Sequence, residues 1–180
     1  MLEDKVPASL YVLESDRLCL RRLTIGDAPF ILELVNEPAF LRFIGDREVR
    51  TLADARDHIL NGPVDSYERY GFGLYWTGLK EDETPLGICG LVKREFLPNA
   101  DIGFAFMQRF WGKGYAFESA SAVMVYARDI LGLNRIVAIS ASDNDRSIAL
   151  LQKLGLKFEK MVTFPEEDSE IKLFVSNRKE

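Results

Sequence analysis

One short turn carries the residue types best suited to chemistry. Trp111-Gly112-Lys113-Gly114-Tyr115-Ala116 sets two glycines just ahead of a run with helical spacing. Glycine reaches backbone angles that other residues resist, and it has no side chain to fend off a ligand. The unbonded N–H groups and the positive dipole end of a helix converge at such a mouth, so an anion, above all a phosphate, is the expected guest. Two familiar phosphate turns fail the test. A dinucleotide fingerprint wants a third glycine where Phe117 stands, and no G-x-x-x-x-G-K-[ST] run occurs in the chain.

Other reactive residue types are sparse. The chain has two cysteines, Cys19 and Cys89, both inside apparent strands, and one histidine, His58. That excludes a disulfide framework and a Cys/His zinc site. His58 sits beside aspartates on what reads as an exposed helix, and a surface role is expected for it.

The elements around the turn follow from periodicity. Asp101 to Met107 alternates, with Ile102, Phe104 and Phe106 on one face and Asp101, Gly103 and Ala105 on the other, which predicts a strand. After Gly114, apolar residues at Ala116, Phe117, Ala120, Val123, Met124, Ala127, Ile130 and Leu131 predict an amphipathic helix of about four turns, stopped by Gly132. Upstream, residues 1–16 read as a variable lead-in and Arg17 to Leu23 as the first strand. Thr24 and Asp27 cap a helix that Pro38 should end, and a second helix from Thr51 should break at Asn61-Gly62-Pro63. Gly71–Leu79 and Leu86–Arg94 predict a hairpin leading into the strand at Asp101. Asn134–Ser140 reads as a buried strand parallel to that one, followed by a helix capped by Asp143 or Asn144 and closed by Gly155. Phe158–Phe164 and Ile171–Val175 form a last hairpin around Pro165-Glu166-Glu167-Asp168.

The turn resembles motif A of the GNAT superfamily of N-acetyltransferases, [Q/R]-x-x-G-x-[G/A]. Arg109–Gly114 matches every letter but starts the helix too early; Trp111–Ala116 is the preferred register and departs only in its leading Trp. The stretch FWGKGYAFES is similar to the branch containing ribosomal-protein N-terminal acetyltransferases. Ser142 to Leu156 resembles the family's second block, about thirty residues on, and the order β-α-α-β-β-β-α-β-α-β-β matches its fold. The resemblance implies an α/β (α+β) protein with one mixed, mostly antiparallel sheet of about seven strands, splayed like a V between the fourth and fifth, flanked by about four helices. A single domain over 1–180 is expected.

The resemblance also implies a mechanism, in which a primary amine attacks acetyl-CoA directly. Phe104, Ala105 and Phe106 would offer a backbone edge to the pantetheine arm, and a main-chain N–H there would polarise the thioester carbonyl. Trp111, Gly112, Lys113, Gly114, Tyr115 and Ala116 would hold the pyrophosphate. Asn144 matches a pantetheine-contacting asparagine, although a helix cap explains it equally. The position of the family's tyrosine general acid is Leu151 here, which leaves the Ser147 hydroxyl as the group near the departing thiolate. Two carboxylates compete as general base, Asp101 in the strand and, behind it, Glu166 in the last hairpin. Glu118 is explained by the helix dipole. Cys89 reads as a buried hydrophobe rather than an acetyl carrier, since no histidine is placed to activate it. A non-catalytic acyl-CoA-binding or regulatory module is the alternative, motivated by the missing tyrosine.

Composition bounds the rest. A chain of 180 residues, 47% hydrophobic and 28% charged, is ordinary for a globular protein. A net charge of −5 gives no basic field for nucleic acid and favours a cationic acceptor such as a polyamine, aminoglycoside or basic peptide. Neither a membrane span nor a signal peptide is evident, so a cytoplasmic protein without membrane or nucleic-acid partners, monomer or homodimer, is expected. No metal is called for.

Overall fold

Eight strands build one sheet in a computed structural model that describes residues 7–165 and 168–176. The elements run β1 (Tyr11–Glu14), β2 (Leu18–Arg21), α1 (Ala28–Val35), α2 (Pro38–Phe43), α3 (Leu52–Ile59), α4 (Asp65–Tyr70), β3 (Leu74–Leu79) and β4 (Pro85–Val92). Then follow β5 (Asp101–Phe106), α5 (Tyr115–Asp129), β6 (Val137–Ser140), α6 (Asp145–Lys153), β7 (Leu156–Phe164) and β8 (Ser169–Ser176). Strand order is β1-β2-β3-β4-β5-β6-β8-β7. Every neighbouring pair is antiparallel except β5 and β6.

The expected architecture holds, with three local differences. The lead-in is not featureless: Tyr11–Glu14 adds an edge strand to β2, which makes eight strands instead of seven. Pro38 does not end a helical region but opens α2 from its first position, where a missing N–H and a fixed φ suit a helix start. Pro63 does not break the chain either. Leu60–Val64 forms a π-helical turn that absorbs the proline and joins α3 to α4, so six α-helices stand among the described residues where about four were expected.

The sheet carries a core on each face. One contains Leu18, Leu20, Tyr75, Cys89, Ile102 and Phe106 packed on Ala120, Val123 and Ala127 of α5 and Leu151 of α6. The other sets Cys19, Trp76, Ile88 and Met107 against Ile31, Leu34 and Val35 of α1 and Ala55 and Ile59 of α3. β5 thus sends Ile102 and Phe106 into the first core and Ala105 against the second.

A buried ion pair joins the second face to the sheet. Arg21 of β2 meets Asp27 just ahead of α1 through two bonds, 2.8 and 2.9 Å, and lies over the Trp76 ring at 4.1 Å. Asp27 also accepts the Thr24 main-chain N–H at 2.8 Å, completing a capping box. Arg21→Ala strands the Asp27 carboxylate and is expected to cost about 3–5 kcal/mol in denaturant unfolding.

Candidate active site

β5 and β6 begin together and then part. The Val137 N–H donates to the Ala100 carbonyl at 3.0 Å, and the only paired position is Asp101 with Val137. No further ladder position joins the two strands. β5 is paired to β4 along its whole length, and β6 is paired to β8 over all four residues. Bond parity shows which groups are left. Met107 N–H donates to Leu86 O at 2.9 Å, so Ala105 and Gly103 turn their main chain to β4 while Phe104 turns its own toward β6. Ser176 N–H donates to Ile136 O at 2.9 Å, so Ile139 faces β5. Phe104 and Ile139 therefore look at one another across an open slot. The Phe106 carbonyl, at the slot's wide end, is taken by the Trp111 indole N–H at 2.8 Å.

The turn lies at that wide end. Gly112 and Gly114 adopt left-handed φ values of 76° and 83°, and Gly114 caps α5 without a side-chain bond. The first intrahelical bond runs from Glu118 N–H to Gly114 O at 3.0 Å. The N–H groups of Tyr115, Ala116 and Phe117 thus have no intrahelical partner and point out of the helix mouth. Residues 112–114 are exposed. The mouth is held by Glu118, which accepts bonds from Ser15 Oγ (2.6 Å), the Arg17 main chain (2.8 Å) and Arg17 Nε (2.7 Å). Burial pushes the Glu118 carboxyl upward, but these bonds outweigh it and keep it below the usual range. Its role is to lock the helix start to the β1–β2 corner, beyond the dipole effect expected for it.

At the narrow end stands Asp101, only 1% exposed. Its Oδ2 accepts Arg94 Nε at 2.6 Å, and its Oδ1 makes no hydrogen bond. Burial raises the carboxyl to about 6 against the pull of Arg94 and the nearby Ile139 main-chain N–H. A buried carboxylate with one bare oxygen is a proton acceptor in waiting.

Slot, turn and Asp101 line one cavity of about 1540 Å³ that continues along α1–α4. Phe104, Ala105, Phe106, Trp111, Gly112, Gly114, Tyr115, Ala116, Asn144 and Ser147 all border it. Lys113 does not, its ammonium lying over the Phe110 ring at 5.6 Å. Asn144 caps α6 by accepting Ser147 N–H at 3.2 Å, which leaves its amide NH₂ for other partners. Leu151 is buried and apolar, as its side chain requires. Glu166 lies outside the described residues.

Two further residues depart from their sequence reading or escaped it. His58 is half-buried and borders the cavity instead of lying on the open surface; burial and then Arg47 lower its pKa, which favours neutral imidazole. Arg94 was not singled out, although its place two residues past the Val92–Asp101 pair could have been read from the hairpin register. Cys89 is fully buried and its thiol is pushed up to about 12 by that burial, which leaves no nucleophilic thiolate.

The wall of α1 and α2 is joined to the segment that precedes α5 and to the one that precedes α6. Glu37 accepts the Gln108 N–H at 2.7 Å, Glu33 pairs with Arg109 at 2.6 Å, and Arg42 reaches Asp143 at 3.2 Å. Among the described residues no group of three or more His, Cys, Asp and Glu could hold a metal, and no helix is long and apolar enough to cross a membrane.

An antiparallel sheet with one parted parallel pair, opening onto a glycine-bearing helix mouth, is the architecture the site is built on. The sequence matches the acetyltransferase (GNAT) domain family over residues 17–157, and the chain belongs to this family of acetyl-CoA-dependent N-acetyltransferases. It is 31% identical over 150 residues to the uncharacterized N-acetyltransferase YoaA of Bacillus subtilis, covering 82% of this chain and 84% of that one. In fold it is similar to an acetyltransferase from Agrobacterium tumefaciens, with TM-score 0.79 and 22% identity over 98% of each chain. It is also similar to the ribosomal L7/L12 α-N-protein acetyltransferase RimL in complex with coenzyme A, with TM-score 0.78 and 20% identity over 92% of this chain and 96% of that one.

Gly114→Ala puts a Cβ on a left-handed residue, 3.4 Å from Arg17 Nη2, which is expected to cost about 1–2 kcal/mol of stability. Calorimetry should show coenzyme A affinity falling by about tenfold. Ile130→Ala, at the exposed far end of α5, should leave it unchanged.

Proposed function

We propose that the protein transfers the acetyl group of acetyl-CoA to a primary amine by direct attack in a ternary complex, with Asp101 as general base. The observation that carries this reading is the bare Oδ1 of Asp101, buried at the closed end of a slot whose walls, Phe104 and Ile139, lack ladder partners. The slot's fit to coenzyme A is physical. Its walls offer main-chain donors and acceptors to an amide-bearing arm, and the exposed mouth at residues 112–117 offers N–H groups to a diphosphate.

In this reading the arm lies between β5 and β6 and the thioester comes to rest near Phe104, whose N–H steadies the carbonyl oxygen as charge builds on it. The acceptor enters along the α1–α4 side of the cavity and meets Asp101. An ammonium has no lone pair, so Asp101 Oδ1 takes one proton; the freed amine forms the N–C bond, the C–S bond breaks, and the second proton lost by the nitrogen passes to the departing sulfur, which leaves as the thiol. Ser147 stands on the slot's border to donate a hydrogen bond to that sulfur. Leu151 supplies no proton, and a thiolate, being a good leaving group, needs little acid help.

Thiol release from acetyl-CoA in the presence of amines tests the proposal. Asp101 must be ionised to accept a proton, so its contribution to kcat/KM rises as pH increases through about 6. Asp101→Asn should erase that inflection and lower the rate by about 10²–10⁴-fold while coenzyme A binding by calorimetry persists. Tight coenzyme A binding with no thiol release to any amine would establish a non-catalytic acyl-CoA-binding module instead.

A further inference from the structure

Arg94 does only half of what a guanidinium can do. It gives Nε to Asp101 Oδ2 at 2.6 Å, and neither Nη has a hydrogen-bond partner among the described residues. The side chain is 24% exposed and borders the cavity beside Asp101. Its Nη pair forms the edge of the fork that points away from Nε, a shape matched to a carboxylate.

Other cations at the cavity are engaged or distant. Lys93 gives its ammonium to the Leu97 carbonyl at 2.9 Å. Arg42 and Arg69 pair with Asp143 and Asp65. Arg146 lies over Trp111, on the cofactor side. The acids that border the same end, Glu95 and Glu170, are exposed and therefore screened by water. A buried carboxylate oxygen without a hydrogen-bond partner and a guanidinium fork unfilled among the described residues thus stand side by side, joined by one bond, at one wall of the cavity.

We propose that the acceptor is a zwitterion, an amine with a carboxylate a few bonds from its nitrogen, as in a free α-amino acid. Asp101 Oδ1 takes the ammonium and the Arg94 Nη pair takes the carboxylate. This rests on the acetyl-transfer reading, and it differs from the cationic acceptor that net charge favours: a polyamine would bring a second positive charge against Arg94 and leave its fork empty. Phe164, whose ring lies 5.8 Å from the Arg94 guanidinium, and Ile171 give the acceptor's side chain an apolar wall.

Two measurements on the full chain test it. Thiol release is followed with phenylalanine, with 2-phenylethylamine, which is the same body without the carboxylate, and with spermidine. Separately, calorimetry follows the binding of phenylalanine and of 2-phenylethylamine to protein saturated with coenzyme A. The expected result is a preference of at least tenfold for phenylalanine over 2-phenylethylamine in both. Arg94→Gln should bring the binding ratio to within about threefold of one, the ratio cancelling any general damage to the fold. Equal or better use of 2-phenylethylamine or spermidine by the wild type, or an Arg94→Gln protein that keeps the preference, overturns the zwitterion. Selective phenylalanine binding without thiol release would instead keep the zwitterion and defeat acetyl transfer, so the two failures are distinguishable.

Discussion

The structure depends on a ladder that stops. β5 and β6 share one paired position and no more, and everything functional is arranged around the main-chain groups this leaves unused. Buried peptide groups without partners cost about 1–3 kcal/mol each, so such a slot persists only if closing it is prevented. Three contacts anchor the strands on either side of it. β4 holds β5, β8 holds β6, and the Trp111 indole occupies the Phe106 carbonyl that would otherwise invite the neighbouring strand. The slot is an interrupted sheet that an extended ligand can complete.

Its two ends are tuned in opposite directions. At the wide end, the glycines, the helix mouth and the absence of a capping side chain favour negative charge, and the Glu118 carboxylate there is offset by its ion pair with Arg17. At the narrow end, burial makes the Asp101 carboxylate reluctant to ionise, while Arg94 keeps it from becoming permanently neutral. A helix mouth with free N–H groups and a buried carboxyl therefore stand at opposite ends of β5. Under the proposed acetyl transfer, a cofactor with phosphates at one end and a thioester at the other fits that polarity in only one orientation.

Much of this was legible in the sequence, and what was hidden has physical reasons. The passage from period 2 to period 3.6 across Gly112 and Gly114 marked β5, the turn and α5, and the apolar run before Ser140 marked β6. β1 escaped notice because Tyr11–Glu14 is short and only half-covered, with little alternation to betray it. The stretch from Pro38 to Tyr70 misled because proline reads as a stop; Pro38 sits where a helix begins, and Pro63 is absorbed by a wider turn. Asp101 was visible as a candidate base, but its burial and its bare oxygen depend on what β6 and Arg94 do in three dimensions. Arg94 and Ile139 belong to the site only through sheet register, which no local pattern announces.

The links from α1 and α2 to the segments that flank the cofactor's path give the fold a particular history. Glu37 grips Gln108, Glu33 meets Arg109, and Arg42 spans to Asp143, so under the proposed function the bank facing the acceptor and the bank facing the cofactor are joined at three exposed contacts. A lineage that reshaped the acceptor bank to take a different amine would drag on the cofactor bank unless those acidic and basic partners were kept or exchanged in pairs. Acceptor preference can therefore drift by repainting the apolar lining between the joints, and the joints themselves are where such drift meets resistance.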